Sequence, residues 1–204
     1  MAKRNKDTGA EEKILAAARK VFIAKGMAGA RMQDIADEAG INKALLHYYF
    51  KSKEQLFETI FTEVMGNLIP RIKSLLLSDL SLYEKIEQFC DQYISVISQN
   101  PYLPIFILNE LHKQPSVMIA KMFGGGLPDL HKFTAQIEKE VKSGKIKPIS
   151  PVHLIMNMMG LCIFPFLGKP LLSAILGIDA LQFQLAMEQR KKAIPQFIFD
   201  AIRK

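Results

Sequence analysis

The chain has few cysteines, and its cysteines and histidines are not spaced as a disulfide framework or a metal site would require. Its two cysteines, Cys90 and Cys162, each stand alone in an apolar stretch. Isolated thiols in one chain provide neither a disulfide framework nor a CxxC metal site, and they fit a reducing compartment. His112, His131 and His153 also lack the mutual spacing of metal ligands. We therefore expect a cytoplasmic protein that needs no metal or other cofactor.

The sequence also lacks an export signal and a membrane span. Residues 1–12 are polar and contain no apolar core of a signal peptide. The segment nearest to a span, residues 154–168, is uncharged but only about 15 residues long, short of the roughly 20 that a bilayer requires. Asn157 and Pro165 interrupt it. We interpret this segment as a buried or interface helix and expect no membrane partner.

Positive charge is concentrated near the N-terminus. Residues 1–53 carry 11 Lys/Arg against 6 Asp/Glu, a net charge of +5, whereas residues 54–204 carry 16 against 14, a net charge of +2. A basic first quarter on a nearly neutral remainder predicts a polyanionic partner, either nucleic acid or an anionic membrane surface. No convergent acid–base or nucleophile set is visible, so we do not expect an enzyme.

Apolar residues recur with a helical period along the chain, and no stretch alternates with a period of two. This pattern predicts an all-α fold. A first helix carries Ile14, Ala18 and Phe22 on one face and ends at Gly26. Ser52 and Gln55 predict a capping box for a later helix. The other predicted helices cover residues 32–39, 42–49, 52–77 with a kink at Pro70, 82–99, 103–113, 128–143, 151–167 and 180–204.

Residues 32–51, MQDIADEAGINKALLHYYFK, have the spacing of two crossed helices joined by a tight turn. Ala36 is small where the helices approach, Gly40 can adopt the positive φ of the turn, and Ile41 and Leu46 fill the space between them. Next to a basic segment, this joint spacing predicts a helix-turn-helix that binds DNA. Its second helix would enter the major groove.

The outer face of that second helix follows from the 100° step per residue. If Leu46 and Phe50 face inward, Lys43, Ala44, His47 and Tyr48 face outward. Lys43 can contact guanine or a phosphate, Ala44 a thymine methyl, and Tyr48 offers a ring and a hydroxyl. The alternative is that residues 47–49 are aromatic core. Three consecutive rings cannot all face inward on one helix, so at least one must point outward.

Between about Glu12 and Phe57 the motifs AARKVF, DIADEAG and INKALLHYYFKSKEQLF occur in series. This joined pattern resembles the TetR family of bacterial transcriptional regulators. The resemblance implies a homodimer on a palindromic double-stranded DNA operator. It also implies a helix-turn-helix DNA-binding domain at residues 1–52 and a helical ligand-binding and dimerisation domain at residues 53–204.

The resemblance also implies which residues contact DNA. These are Gln33, Lys43, Ala44, Leu45, His47, Tyr48, Tyr49 and Lys53, the last on a phosphate. The sequence departs from the family pattern at several of them. Ala30 and Arg31 replace the usual hydroxyl cap of the second helix, so Arg31 becomes a candidate phosphate contact. Leu45 replaces a frequent threonine and removes a hydroxyl from the groove.

The C-terminal domain must supply a pocket and a dimer interface in such a family. Flexible thioethers and rings predict the pocket, although methionine at helical spacing is more often plain core. The candidate pocket residues are Phe106, Met118, Met122, Phe123, Met156, Met159 and Phe164. Pairing the last two long helices across a two-fold axis predicts the interface, the alternative being that they face the protomer's own core. The candidate interface residues are Leu154, Ile155, Met158, Leu161, Leu181, Leu185, Phe197 and Ile198.

The sequence thus predicts a DNA-binding regulator, most simply a repressor that a small apolar molecule releases from its operator. The helix that begins near Lys53 would connect the DNA-binding head to the body as a lever. The alternative is a helical carrier or lipid-binding protein whose basic head lies on an anionic membrane. Against it, Asp34, Asp37 and Glu38 lie among the bases of the head, which has no wide apolar stripe to spare.

Overall fold

The computed structural model describes residues 2–124 and 126–204, with side chains described from residue 9 onward. Within these ranges the only strand-like pairing is an isolated antiparallel bridge between Ile146 and Arg203, so the predicted all-α fold is confirmed. The helices are α1 (Ala2–Gly29), α2 (Met32–Ala39), α3 (Lys43–Tyr49), α4 (Lys53–Leu77), α5 (Leu82–Gln99), α6 (Leu103–Lys113), α7 (Pro115–Phe123), α8 (His131–Lys142), α9 (Pro151–Leu167), α10 (Lys169–Leu176) and α11 (Ala180–Ile202).

Two helices were not predicted. Each of them, α7 and α10, has a proline in its first turn, at Pro115 and Pro170 respectively. Proline lacks an N–H, but the first helical N–H has no partner within the helix anyway, so proline is well tolerated there. The predicted helix at residues 128–143 is also shorter in the structure, because α8 begins at His131.

The cap of α4 differs in detail from the predicted capping box. The Ser52 hydroxyl accepts the backbone N–H of Gln55 at 3.2 Å, as expected. The Gln55 side chain, however, accepts from the backbone N–H of Lys51 at 2.8 Å instead of from Ser52. The helix then continues through Pro70 to Leu77 without ending. Although the Gln55 side chain bonds Lys51 and not Ser52, the start of α4 is still capped.

The N-terminal head consists of α1, α2 and α3 packed against the first turns of α4. Gly26 has φ 66° and ψ 171°, a conformation that only glycine adopts without strain, and it interrupts α1 where the sequence predicted an end. The residues that form the head's core are fully or almost fully buried. They are Ile14, Ala17, Ala18, Val21, Phe22, Ala30, Ile35, Ala36, Ala39, Leu46, Phe50, Leu56, Phe57 and Ile60.

An aromatic cluster joins the head to the body. The ring of Phe57 in α4 lies 5.4 Å from Phe22 in α1, 5.5 Å from Tyr102 before α6, and 4.2 Å from Phe106 in α6, measured between ring centroids. Arg19 donates to the Asn100 side chain at 3.2 Å across the same junction. Head and body therefore share one continuous core through Phe57.

In the body, α5 is the central helix and packs mainly on α11, with α4 and α9 on its other sides. Cys90 in α5 and Cys162 in α9, isolated in the sequence, meet there with their sulfurs 3.7 Å apart. Both thiols are free and buried. Contact with Cys162 and burial raise the pKa of the Cys90 thiol, so it stays protonated.

Among the described residues, no single helix combines the length and the apolar composition needed to cross a bilayer. The bent pair α9 and α10, with 76° between its helices, meets both criteria only when the two are taken together.

Candidate nucleic-acid interface and ligand cavity

The turn between α2 and α3 has the geometry that the sequence predicted. Gly40 adopts φ 64° and ψ 35°, a left-handed conformation. The N–H of Gly40 donates to the Asp37 carbonyl at 3.1 Å, and that of Ile41 donates to the Ala36 carbonyl at 3.0 Å. Asn42 then caps α3 by accepting the Leu45 N–H at 2.7 Å. These bonds fix the angle at which α3 leaves the head.

One face of α3 points away from the head. Leu46 is fully buried and Phe50 nearly so, which orients the helix. Among the predicted DNA contacts, Lys43, Ala44, Leu45 and Tyr48 are exposed, and His47 and Tyr49 are half-buried. The side chain of Tyr48 is 72% exposed and its ring meets that of Tyr49 edge-on at 5.2 Å. Tyr48 is thus the outward ring that the sequence required.

The other two candidates from the α2 segment, Arg31 and Gln33, are also exposed. Arg31 occupies the N-cap position of α2 without a side-chain cap, as expected from the missing hydroxyl. Asp34 compensates by accepting the Arg31 backbone N–H at 3.1 Å. Gln33 donates to the Asp37 carboxylate at 2.7 Å, which holds its amide on the helix surface. The Arg31 guanidinium therefore does not cap α2.

Two acidic residues of the head, Asp34 and Glu38, are paired with its own lysines. Lys25 lies 2.9 Å from the Asp34 carboxylate, and Lys20 lies 2.8 Å from Glu38. The hydrogen bond from Lys25 holds the pKa of Asp34 below its usual value, despite the opposing effect of desolvation. These pairs reduce the repulsion that the acidic residues would exert on a phosphate backbone.

Lys53 has a structural role that the sequence did not indicate. Its ammonium donates to the carbonyls of Met27 at 2.8 Å, Ala28 at 3.3 Å and Ala30 at 3.1 Å. These three bonds use all its donors and tie the start of α4 to the chain after Gly26. A phosphate contact by Lys53 stays a prediction, and it would require the ammonium to give up part of this arrangement.

Replacing Lys53 with alanine is therefore expected to destabilise the free protein, not only to weaken DNA binding. Losing a charged group's bonds to partly buried carbonyls should lower the free energy of unfolding by about 1–3 kcal/mol. Denaturant unfolding measures this. Lys51→Ala, which removes the same charge from a neighbouring exposed position, is the matched control and should leave stability unchanged. Equal stability of the two variants would contradict the capping role.

The body contains an apolar cavity of about 220 Å³ between α4, α5, α6 and α9. Of the predicted pocket residues, Met122, Phe123 and Met159 line it. The lining set is Met65, Leu68, Ile69, Ile72, Lys73, Leu76, Phe89, Tyr93, Val96, Ile97, Leu103, Pro104, Ile107, Met122, Phe123, Pro128, Leu130, Phe133, Ile155, Met158, Met159 and Ile163. Ten of these 22 residues come from α4 and α5, which supplied none of the predicted pocket residues.

The other predicted pocket residues lie elsewhere. Phe106 and Met118 border a second, open cleft of about 720 Å³ between the head and α6–α7. Met156 and Phe164 are 63% and 56% exposed on the outer side of α9, so their assignment to the cavity is corrected. Met156 lies two residues from the cavity residue Met158, which is about 200° around the helix.

The predicted interface residues also divide by burial. Leu154, Met158 and Ile198 are buried inside the protomer, and Ile155 lines the cavity, so these four are corrected. Leu161 is half-buried. By contrast, the remaining residues on α11 point outward: Leu181, Leu185 and Phe197 are between 55% and 65% exposed. Val152, Met156 and Phe164 on α9 are similarly exposed, and we call these six apolar residues of α9 and α11 the outer face.

Within the described part of the chain, no group of three or more His, Cys, Asp or Glu side chains converges as a metal site would require.

Comparison with known proteins also indicates a DNA-binding regulator of transcription. Residues 14–60 match the model of the bacterial regulatory proteins of the tetR family. The chain is 26% identical over 202 residues to the HTH-type transcriptional regulator RutR of Escherichia coli, covering 98% of this chain and 94% of RutR. It is 27% identical over 199 residues to the HTH-type transcriptional repressor NicS of Pseudomonas putida, covering 93% and 88%.

A solved structure shares the fold. The transcriptional regulator FadR from Bacillus subtilis, in complex with stearoyl-CoA, superposes with a TM-score of 0.55 at 19% identity, covering 90% of this chain and 96% of FadR. The names of the relatives describe regulators of transcription. They support the predicted DNA-binding regulator and not the alternative of a membrane-surface carrier.

Proposed function

We propose that the chain is a transcriptional repressor of the TetR family that a small apolar molecule releases from DNA. The observation that carries the proposal is the exposed face of α3, Lys43, Ala44, Leu45 and Tyr48, held outward by a capped, tight turn. A repressor is the more economical choice because NicS, similar over most of its length, is named a repressor.

On this proposal, α3 enters the major groove with Tyr48 at its centre. The hydroxyl can bond a base edge or a phosphate, and the ring can pack on a thymine methyl. Lys43 and Arg31 neutralise phosphates, and the paired acidic residues keep the basic surface effective. Ala44 and Leu45 add apolar contacts that carry no charge. The charged residues bring the head to DNA, and the mostly uncharged ones select the sequence.

The homodimer forms, in this proposal, through the outer face of α9 and α11. Six apolar side chains on that face are more than half exposed in the protomer. An exposed patch of this kind marks an interaction surface in a protein without another use for it. Pairing two helices from each protomer across a two-fold axis gives a four-helix interface. Two heads related by that axis match a palindromic operator.

Release follows from α4, which takes part in both sites. Its first turns bury Leu56 and Phe57 in the head's core, while Met65, Ile69 and Ile72 further along line the cavity. A ligand that favours another position of α4 shifts the heads away from successive major grooves by its differential affinity for the two states. A coupling of about 1–3 kcal/mol changes operator affinity roughly 5- to 150-fold.

Fluorescence anisotropy with the DNA upstream of the protein's own gene tests the DNA-binding part. Tyr48→Ala should weaken binding to that DNA by about 1–3 kcal/mol, roughly 5- to 150-fold. The same variant should leave affinity for an unrelated sequence and thermal stability unchanged, because the side chain touches the core little. Equal binding of specific DNA by wild type and variant would remove Tyr48 from the recognition surface.

The release part has its own test. Apolar molecules that displace the fluorophore N-phenyl-1-naphthylamine from the protein should also weaken operator binding. A molecule that saturates the cavity and leaves operator affinity unchanged would contradict the lever.

A further inference from the structure

The apolar cavity contains two polar side chains that its packing does not use. Twenty of its 22 described lining residues are Met, Leu, Ile, Val, Phe or Pro. The two exceptions are Lys73 in α4 and Tyr93 in α5. Both side chains are half-buried at the cavity wall, so each can reach a ligand inside it.

The Tyr93 hydroxyl is a donor without an acceptor. Its ring stacks on Phe89 with 5.4 Å between centroids and 13° between planes, which fixes its orientation. No hydrogen bond joins the hydroxyl to a described residue. Burial, and secondarily the nearby Cys162 sulfur, raises the pKa of Tyr93, so the group remains a protonated hydroxyl. It can therefore donate to an uncharged acceptor oxygen of a ligand.

The Lys73 ammonium is a cation without a counter-ion. One of its donors reaches the Gly126 carbonyl at 3.2 Å, in the exposed segment after α7. Among the described residues no carboxylate lies within salt-bridge distance of it, whereas Lys113, Lys121 and Lys132 in the same body each have one. At the edge of an apolar cavity, an unpaired ammonium attracts the anionic end of an apolar molecule.

The two groups are separated along the helices. The helices α4 and α5 are consecutive, joined by residues 78–81, and Lys85 of α5 donates to the Leu76 carbonyl of α4 at 3.0 Å. In this antiparallel pair Lys73 lies beside the second turn of α5, and Tyr93 lies about seven residues further along. At 1.5 Å per residue the separation is about 10 Å. One small polar group cannot satisfy both side chains.

We propose that Lys73 and Tyr93 form a two-point polar subsite that selects an apolar molecule with an anionic group at one end and an uncharged acceptor oxygen about 10 Å away. Lys73 binds the anion and Tyr93 donates to the acceptor, while the remaining wall encloses the apolar chain between them. This assignment rests on the proposed function, because it takes the cavity to be the ligand site. It adds the chemical class of the ligand.

Three chain-matched probes test the subsite: 9-oxodecanoate has both groups, decanoate has only the anion, and 2-decanone has only the acceptor. Their affinities are measured by displacement of N-phenyl-1-naphthylamine from the full-length protein. The keto acid should bind roughly fivefold to tenfold more tightly than either single-group probe. Equal affinities of the three, or displacement by none of them, would overturn the proposal.

Variants separate specificity from structure. Tyr93→Phe should remove the keto acid's advantage over decanoate and leave decanoate itself unaffected, which a packing defect would not do. Lys73→Met should remove its advantage over 2-decanone. Tyr83→Phe and Lys113→Met, outside the lining set, are the matched controls. Loss of affinity for all three probes in Tyr93→Phe would assign that residue to the scaffold and refute the subsite.

Operator binding distinguishes this proposal from the one on which it rests. If the keto acid binds in the expected order but leaves operator affinity unchanged, the subsite stands and the release mechanism fails. If apolar molecules release the operator without discriminating among the three probes, the release mechanism stands and the subsite fails.

Discussion

Replacing Phe57 with alanine should lower the free energy of unfolding by about 3–5 kcal/mol. The side chain is fully buried and its ring contacts rings from both the head and the body. The truncation removes a large apolar side chain and leaves a cavity between the head and the body. The helices packed around this cavity can move only a little to fill it. Denaturant unfolding followed by circular dichroism measures the loss.

Two variants calibrate this result. Phe57→Leu keeps most of the apolar volume and should cost less than half as much as alanine. Tyr48→Ala removes an exposed ring of similar size from the same head and should leave stability within error of wild type. If Phe57→Ala were as stable as Tyr48→Ala, the aromatic cluster would not hold the head to the body.

The second large effect concerns the outer face. Phe197→Glu places a carboxylate on the apolar surface of α11, and two-fold symmetry places a second one on the partner. An unpaired charge buried in an interface costs about 3–5 kcal/mol, so dimer affinity should fall at least about a hundredfold. Operator binding should fall with it, since a single head contacts half a site. Sedimentation velocity and anisotropy measure the two losses.

Leu77→Glu is the matched control for this variant. Leu77 is also a large exposed apolar residue, but it lies at the end of α4 and outside the outer face. It should leave the oligomeric state and operator affinity unchanged. A Phe197→Glu protein that remained dimeric at micromolar concentration would place the interface on another surface.

The sequence was sufficient where the determining contacts are local. Ala36, Gly40, Ile41 and Leu46 lie within 11 residues, and their spacing specifies the turn of the helix-turn-helix. Gly26 ends the regular part of α1 by its own backbone preference. Such features depend on residues that are close together in the sequence, so the sequence alone predicts them.

The sequence was insufficient where distant helices meet. The cavity draws its wall from at least four helices, and Cys90 and Cys162 meet across 72 positions. Met156 and Met158 belong to one apolar helix, yet one faces outward and the other inward. Which face of α9 is buried depends on the helices that pack against it. Burial of Leu154 and Ile198 depends on the same non-local information.

Pro70 has a mechanical consequence for α4. It removes one hydrogen bond of the helix, to the Gly66 carbonyl, within the part of α4 that lines the cavity. From Pro70 to Lys53 the helix is an arm of about 25 Å. A rotation of about 5° at the proline displaces the far end by roughly 2 Å, enough to break hydrogen bonds to a base edge, whose length tolerance is only a few tenths of an ångström. On the proposed release mechanism, a small angular change beside the cavity is thereby amplified at the DNA, and the size of the displacement depends on where in the helix the proline lies.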